Sequence, residues 1–162
     1  MLFRSHIAKV FIVNSDSASK LLIIEKLIKD LKVAFSERKI PLNISDGCER
    51  KICQYLESEF RMKYGEELSR KQIGTLSSEM TLLNNEAFCY FVPVILTTAL
   101  QNPAAIDMEM VIQNLTIYPG FRDYNKYSKH RLNQFTMTEA DIILKILTFW
   151  SEIGRASCRE RV

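Results

Sequence analysis

An almost charge-free stretch, residues 83–100, constrains the fold of this chain more than any other feature of its sequence. Its uninterrupted apolar part runs from Ala87 to Leu96 and reads Ala-Phe-Cys-Tyr-Phe-Val-Pro-Val-Ile-Leu. That part is far shorter than the ~20 apolar residues that a helix needs to cross a bilayer. We therefore expect a helix that is buried by other helices of the same domain, and no transmembrane segment.

Polar and proline residues shape this expected central helix. Asn84 is a good N-cap, and Glu86 follows in the first turn, where the helix dipole favours an anion. Pro93 lies in the interior, where it removes a backbone hydrogen bond and clashes with the carbonyl group of Cys89. The central helix is therefore predicted to kink near Tyr90 or to split in two.

Apolar residues spaced three and four apart predict further helices on both sides. The first helix has an apolar face made of Leu21, Ile24, Leu27, Ile28, Leu31, Ala34 and Phe35. The expected caps are Ser17 or Ser19 for this helix, the pairs Asp46–Glu49, Ser69–Gln72 and Thr136–Glu139 for three others, and Asn102-Pro103 for one more. Only residues 7–13 would fit a strand. The sequence predicts a single all-α domain, a bundle of five or six helices around a proline-kinked central helix.

Both ends of the chain, residues 1–5 and 152–162, resemble translated sequencing-adapter read-through. We therefore expect the native domain to cover residues 6–151 and treat the ends as non-native. Arg4 carries one positive charge and residues 152–162 carry a net one, so without these ends the formal net charge falls from +3 to +1. A near-neutral body has no global field that would attract nucleic acid or an anionic membrane.

Three cysteines, Cys48, Cys53 and Cys89, fall inside apolar patterns of the body. An odd number of cysteines in such patterns predicts reduced core thiols and a cytoplasmic protein. A body of about 146 residues is large enough to fold without a disulfide or a metal. The spacing of Cys48 and Cys53 matches no zinc site, and we expect no cofactor.

The sequence lacks the common catalytic motifs: it has no Gly-rich phosphate loop, no H-E-x-x-H, no C-x-x-C and no G-x-S-x-G. His130 lies between Lys129 and Arg131, which indicates a solvated loop rather than a general base. Glu79 and Glu86 would suit a carboxylate pair, but the helix dipole already accounts for Glu86. The sequence therefore predicts that the chain is not an enzyme.

One segment, residues 118–131, interleaves aromatic and basic side chains. The candidate partner-binding residues in it are Phe121, Arg122, Tyr124, Lys126, Tyr127, Lys129, His130 and Arg131. Tyrosine and arginine dominate protein interfaces, whereas stacking aromatics with cations also suit nucleic acid. A third interpretation is a connection whose aromatics pack onto the bundle while its cations stay in water.

Three blocks of the chain resemble a family of small bacterial helical proteins of unknown function. They are residues 31–35, residues 81–93, which read Thr-Leu-Leu-Asn-Asn-Glu-Ala-Phe-Cys-Tyr-Phe-Val-Pro, and residues 131–149. The core signature comprises Glu86, Ala87, Phe88, Tyr90, Phe91 and Pro93. This chain has Asn85 where the family usually has proline and Cys89 where it usually has arginine. The resemblance implies an all-helical fold and a bacterial source, but no activity.

From these observations we expect a soluble, non-catalytic bacterial domain that binds another protein, in the manner of an inhibitor or immunity protein. The alternative is a nucleic-acid-binding module that uses residues 118–131, which the near-neutral body makes less favourable. A second alternative is an enzyme whose site the sequence does not reveal.

Overall fold

The computed structural model describes residues 3–117 and 128–159, with side chains described for residues 17–117 and 128–153. The helices are α1 (Phe3–Ala34), α2 (Lys51–Phe60), α3 (Arg70–Ser78), α4 (Asn85–Gln101), α5 (Met108–Leu115), α6 (128–132) and α7 (Met137–Arg159). Short 3-10 helices cover Gly65–Glu67, Met80–Leu82 and Pro103–Ala105. These described residues contain no strand, and the predicted single all-α domain is confirmed. The helix α6 forms where the sequence showed no helical pattern.

The central helix α4 carries much of the core. Its fully buried side chains are Ala87, Phe88, Cys89, Phe91, Val92, Ile95 and Leu96. α4 contacts α1 and α3, α1 packs along α7, and α3 also contacts α5. The helix is not split at Pro93 but runs uninterrupted from Asn85 to Gln101. No helix among the described residues has both the length and the apolar character that crossing a membrane would require.

The first helix begins earlier than the sequence predicted. Residues 7–13 are helical rather than a strand, and Ser17 and Ser19 lie inside α1 instead of capping it. Leu21 was expected on the buried face, but its side chain is 61% exposed. The reason is that, among the α1 residues whose side chains are described, the first buried one is Leu27, so Leu21 lies almost two turns before that contact with the bundle.

Several predicted caps are confirmed by their hydrogen bonds. Ser69 and Gln72 form a reciprocal capping box at the start of α3. Asn84 Oδ1 accepts a hydrogen bond from the Ala87 backbone N–H at 2.8 Å, which caps α4. Thr136 and Glu139 form a capping box at the start of α7, because the backbone N–H of each residue donates to the side chain of the other. These caps depend on residues three positions apart, and local sequence therefore suffices to find them.

Two predicted helix starts are wrong. α2 begins at Lys51, after Arg50, which makes no side-chain capping bond, so the pair Asp46–Glu49 does not open this helix. Asn102 and Pro103 lead into the 3-10 helix Pro103–Ala105, because the chain turns once more before α5. Helix α5 is capped instead by Asp107, whose Oδ1 accepts a hydrogen bond from the Met110 N–H at 3.1 Å.

The prediction of three reduced core thiols is also wrong. Cys48 and Cys53 form a disulfide, with their Cα atoms 5.7 Å apart, and Cys89 is the buried free cysteine. Cys53 lies in the first turn of α2 and Cys48 in the loop just before it, so the start of the helix brings the two side chains together.

Candidate partner-binding groove

A groove of about 550 Å³ opens on the surface beside Pro93. It lies between the end of α1, the segment 64–68, α3 and the second half of α4, and we call it the Pro93 groove. It is lined by Lys32, Phe35, Ser36, Arg38, Tyr64, Gly65, Glu66, Leu68, Ile73, Tyr90, Pro93, Val94, Thr97, Thr98 and Gln101. Its volume falls within the range of ordinary ligand pockets.

The segment 64–68 packs directly against α4 because Gly65 has no side chain. A Cβ atom on Gly65 would lie 3.3 Å from the Cβ atom of Val94, which is tighter than ordinary van der Waals contact. The next turn is fixed by a hydrogen bond from the Glu67 N–H to the Tyr64 carbonyl at 3.0 Å, and by burial of Leu68. Tyr64 is thereby held at the rim of the groove with 58% of its surface exposed.

A series of aromatic contacts connects the groove to the core. The half-buried ring of Tyr90 meets the ring of Phe91 edge-on, with centroids 5.0 Å apart. Phe91 in turn contacts Phe60 at 6.1 Å. Burial raises the pKa of the Tyr90 hydroxyl, and a hydrogen bond with the Gly65 backbone only partly offsets that rise. Tyr90 therefore presents a neutral phenol on a rigid aromatic support.

The charged side chains that line the groove differ in their surroundings. Arg38 is held by Glu139, with Nε–Oε1 and Nη2–Oε2 distances of 2.7 and 2.6 Å, and it also donates to the Gln134 carbonyl. Lys32, in the last turn of α1, is exposed at the rim. Glu66 also lines the groove and is exposed. The groove thus has apolar lining residues and an exposed cation, Lys32.

The structure divides the core signature between the core and this groove. Ala87, Phe88 and Phe91 are fully buried, whereas Glu86 is exposed in the first turn of α4. Tyr90 and Pro93 are half-buried and line the Pro93 groove. Two signature positions therefore stand at a surface where another molecule can reach them.

The aromatic and basic segment 118–131 is described only in part. Its candidates Phe121, Arg122, Tyr124, Lys126 and Tyr127 lie outside the described residues. Lys129 and His130 are exposed on α6.

Arg131 is not the solvated cation that the sequence indicated, since it is only 1% exposed. Its guanidinium donates to the Met80 carbonyl at 2.8 Å and the Leu83 carbonyl at 2.5 Å, and it stacks on the Phe88 ring at 4.5 Å. The carbonyls of the 3-10 helix Met80–Leu82 and its end need donors, and Arg131 supplies them. An arginine with these buried contacts cannot also serve as a rim cation of a binding surface.

The Pro93 groove is suited to binding another molecule through its shape and through apolar contacts. The described part of the chain contains no group of three His, Cys, Asp or Glu side chains that would hold a metal ion. The sequence did not reveal Tyr64 and Lys32 as site residues, because the groove brings together separate segments of the chain between residues 32 and 101. The sequence does contain one signal for this groove, since Tyr90 and Pro93 both belong to the core signature and both line it.

Comparisons with known proteins place the chain in a family without assigning an activity. No curated protein and no solved structure matches it. A family model described as "Family of unknown function (DUF6714)" matches residues 47–158, which is more than half of the chain and includes α2 to α6 and most of α7. This chain therefore belongs to the family of unknown function DUF6714.

Proposed function

We propose that this chain is a non-catalytic protein-binding domain, of the inhibitor or immunity type, and that it binds its partner through the Pro93 groove. The observation that carries the proposal is the exposure of Tyr64 beside Tyr90 and Pro93 over an apolar floor. Tyrosine side chains held on rigid supports are frequent hot spots of protein interfaces. A bacterial source and a cytoplasmic location are part of the same proposal.

The proposed occupant is an apolar side chain of the partner protein with a carboxylate close to it. Phe35, Leu68 and Ile73 are buried beneath the groove and give it an apolar floor. At the rim, Lys32 supplies a cation, whereas the charge of Arg38 is already neutralised by Glu139. A carboxylate on the partner would meet Lys32, and this contact would chiefly raise the association rate and the specificity.

Residues 118–131, apart from the buried Arg131, are proposed as a second part of the partner surface, and Lys129 and His130 are exposed in the described part of this segment. Nucleic acid is the less favourable partner for this segment. The burial of Arg131 removes one of the four cations that would have held phosphate groups, and phosphate neutralisation dominates nucleic-acid affinity.

A photo-crosslinking amino acid placed at position 64 tests the proposal in cells of the source organism. Tyr55 provides the matched control, because it is also an exposed tyrosine, on α2, and does not line the Pro93 groove. We expect one protein adduct of defined mass from position 64 and none from position 55. Equal labelling from both positions, or no adduct from position 64, would contradict the proposed site.

A salt titration tests the nucleic-acid alternative. Purified chain would be mixed with fluorescent single-stranded oligonucleotides of random sequence at low and at moderate salt. The protein-binding proposal predicts no change in anisotropy even at low salt. Binding that weakens steeply as salt rises would instead favour the nucleic-acid module.

A further inference from the structure

The disulfide between Cys48 and Cys53 stands at a junction that has few other restraints. It joins the loop before α2 to the third residue of that helix. Arg50, the N-cap residue, makes no side-chain capping bond, and the first turn of α2 contains no acidic residue. A helix start without these features leaves its first backbone N–H groups poorly satisfied. The disulfide and a hydrogen bond from Gln54 Nε2 to the Glu49 carbonyl at 3.2 Å are therefore the restraints that join the loop to this end of α2.

The other end of the loop is anchored independently of the disulfide. Glu57 Oε1 accepts hydrogen bonds from the Ile44 N–H at 2.9 Å and from the Ser45 N–H at 2.7 Å. The Ile44 carbonyl accepts from the Asn84 N–H at 2.8 Å, and the Ile44 side chain is fully buried. Opening the disulfide would thus release residues 46–50 and the first turn of α2 while the fold around Ile44 persists.

The two cysteines differ in their access to solvent. Cys48 is half-buried and lines an open cavity of about 880 Å³, together with Gly47, Glu57 and Arg61. Cys53 is fully buried beneath it. A small thiol that enters this cavity reaches Cys48 first, because thiol–disulfide exchange requires direct approach to the sulfur that is attacked.

We propose that the Cys48–Cys53 disulfide is a reversible redox site that exchanges with low-molecular-weight thiols at Cys48 and controls the order of the α2 start. A thiolate attacks Cys48 Sγ, forming a mixed disulfide, while the Cys48–Cys53 bond breaks and Cys53 leaves as a thiolate. The N-terminus of α2, in whose first turn Cys53 lies, stabilises that negative charge.

A second thiol completes the reduction. Its thiolate attacks the sulfur of the bound small thiol, so that a small-molecule disulfide is released and Cys48 becomes a thiolate. The two small thiols lose two electrons and the protein disulfide gains them. The reverse steps, with a small-molecule disulfide as the oxidant, close the pair again. In a reducing compartment, disulfides of this kind are usually transient and regulatory.

The first test titrates the full chain with glutathione and glutathione disulfide at varied ratios, followed by alkylation and mass spectrometry. A Cys158→Ser background restricts labelling to Cys48, Cys53 and Cys89. Cys89 is the internal control, because burial raises the pKa of its thiol to about 11 and it should stay unlabelled in the folded protein. We expect Cys48 and Cys53 to be oxidised and reduced together. A pair that never closes, or that stays closed until the protein unfolds, would overturn the proposal.

The second test assigns the exchanging sulfur. Brief reaction of the closed protein with reduced glutathione, followed by acid quenching and peptide mapping, should place glutathione on Cys48 at a rate about tenfold or more above that on Cys53. Equal rates, or a faster reaction at Cys53, would contradict attack at Cys48.

Hydrogen exchange on the unsubstituted cysteine pair provides the structural readout. Reduction should speed exchange by roughly tenfold at amides 54–57, the first amides of α2 that make helical hydrogen bonds, and leave the amides of α4 unchanged. Unchanged exchange in α2 would show that the disulfide does not control the order of this helix start.

Discussion

Arg38 and Glu139 form a two-point ion pair that joins the end of α1 to the start of α7. Arg38 Nε donates to Oε1 at 2.7 Å, and Nη2 donates to Oε2 at 2.6 Å. The same carboxylate accepts a hydrogen bond from the Thr136 N–H at 2.7 Å. The Glu139 side chain, which is 3% exposed, therefore caps α7 and also fixes it to the end of α1.

Removing Arg38 should destabilise the domain. Arg38→Ala leaves the buried Glu139 carboxylate without its main partner, and we expect the free energy of unfolding to fall by ~2–3 kcal/mol. Urea unfolding followed by circular dichroism measures the change. Lys145→Ala is the matched control, because the Lys145–Asp141 pair is exposed on both sides, and this change should leave the unfolding midpoint unaltered. Equal effects of the two substitutions would contradict the role of Arg38.

The pH dependence of stability should report the same ion pair. Burial raises the pKa of Glu139, but hydrogen bonds from Arg38 and Thr136 outweigh it and hold the pKa below its usual value. A lowered pKa in the folded state adds stability that is complete above the unfolded value of about 4.3 and is lost as the pH falls through the folded value. Unfolding free energies measured from about pH 7 to about pH 3 should therefore decline at the acidic end. Glu139→Gln should flatten part of that decline, and an unchanged slope would contradict this assignment.

Local signals in the sequence account for the parts of the fold that were predicted correctly. Asn84, Ser69 and Thr136 bind backbone groups three residues away, so the caps of α4, α3 and α7 are visible in short motifs. The apolar run 87–96 likewise identified the central helix, since a continuous apolar stretch of this length must be buried.

Long-range contacts account for what was missed. Glu139 was recognised as a capping residue, but its partner Arg38 is 101 residues away and carries no pattern that points to it. Arg131 follows Lys129 and His130, a basic run that predicts a solvated side chain, yet its partners are backbone carbonyls, which every sequence contains. The Pro93 groove could not be predicted for the same reason, because its walls come from separate parts of the chain.

Phe88 should be essential for the core. Its side chain is fully buried, contacts the ring of Phe135 and supports the Arg131 guanidinium. Phe88→Ala should cost ~3–5 kcal/mol, because it leaves a cavity and removes the surface on which the cation stacks. Met137→Ala, at a side chain that is 88% exposed, should change stability by less than ~0.5 kcal/mol and serves as the control. Similar losses from both variants would contradict the assigned core.

Met62 should be a site where stability can be gained. It has a φ of 59°, in the left-handed region, just after α2, and its side chain is 58% exposed. Met62→Gly should raise the unfolding free energy by about 1 kcal/mol, since glycine adopts this backbone without a steric penalty. The reciprocal control is Gly47→Ala, where φ is 74° and no neighbour would clash, so backbone strain alone should lower stability. A loss of stability in Met62→Gly would show that the side chain makes a contact that outweighs the strain.

The affinity of the partner captured at position 64 tests the central claim most directly. Isothermal titration of that purified partner would compare the unsubstituted chain with Tyr64→Ala, Tyr90→Ala and the control Tyr55→Ala. The Pro93 groove predicts a loss of ~2 kcal/mol or more, roughly a 30-fold rise in Kd, for Tyr64→Ala or Tyr90→Ala, with Tyr55→Ala unchanged. If all three variants bind within a factor of about two of the unsubstituted chain, the Pro93 groove is not the partner site.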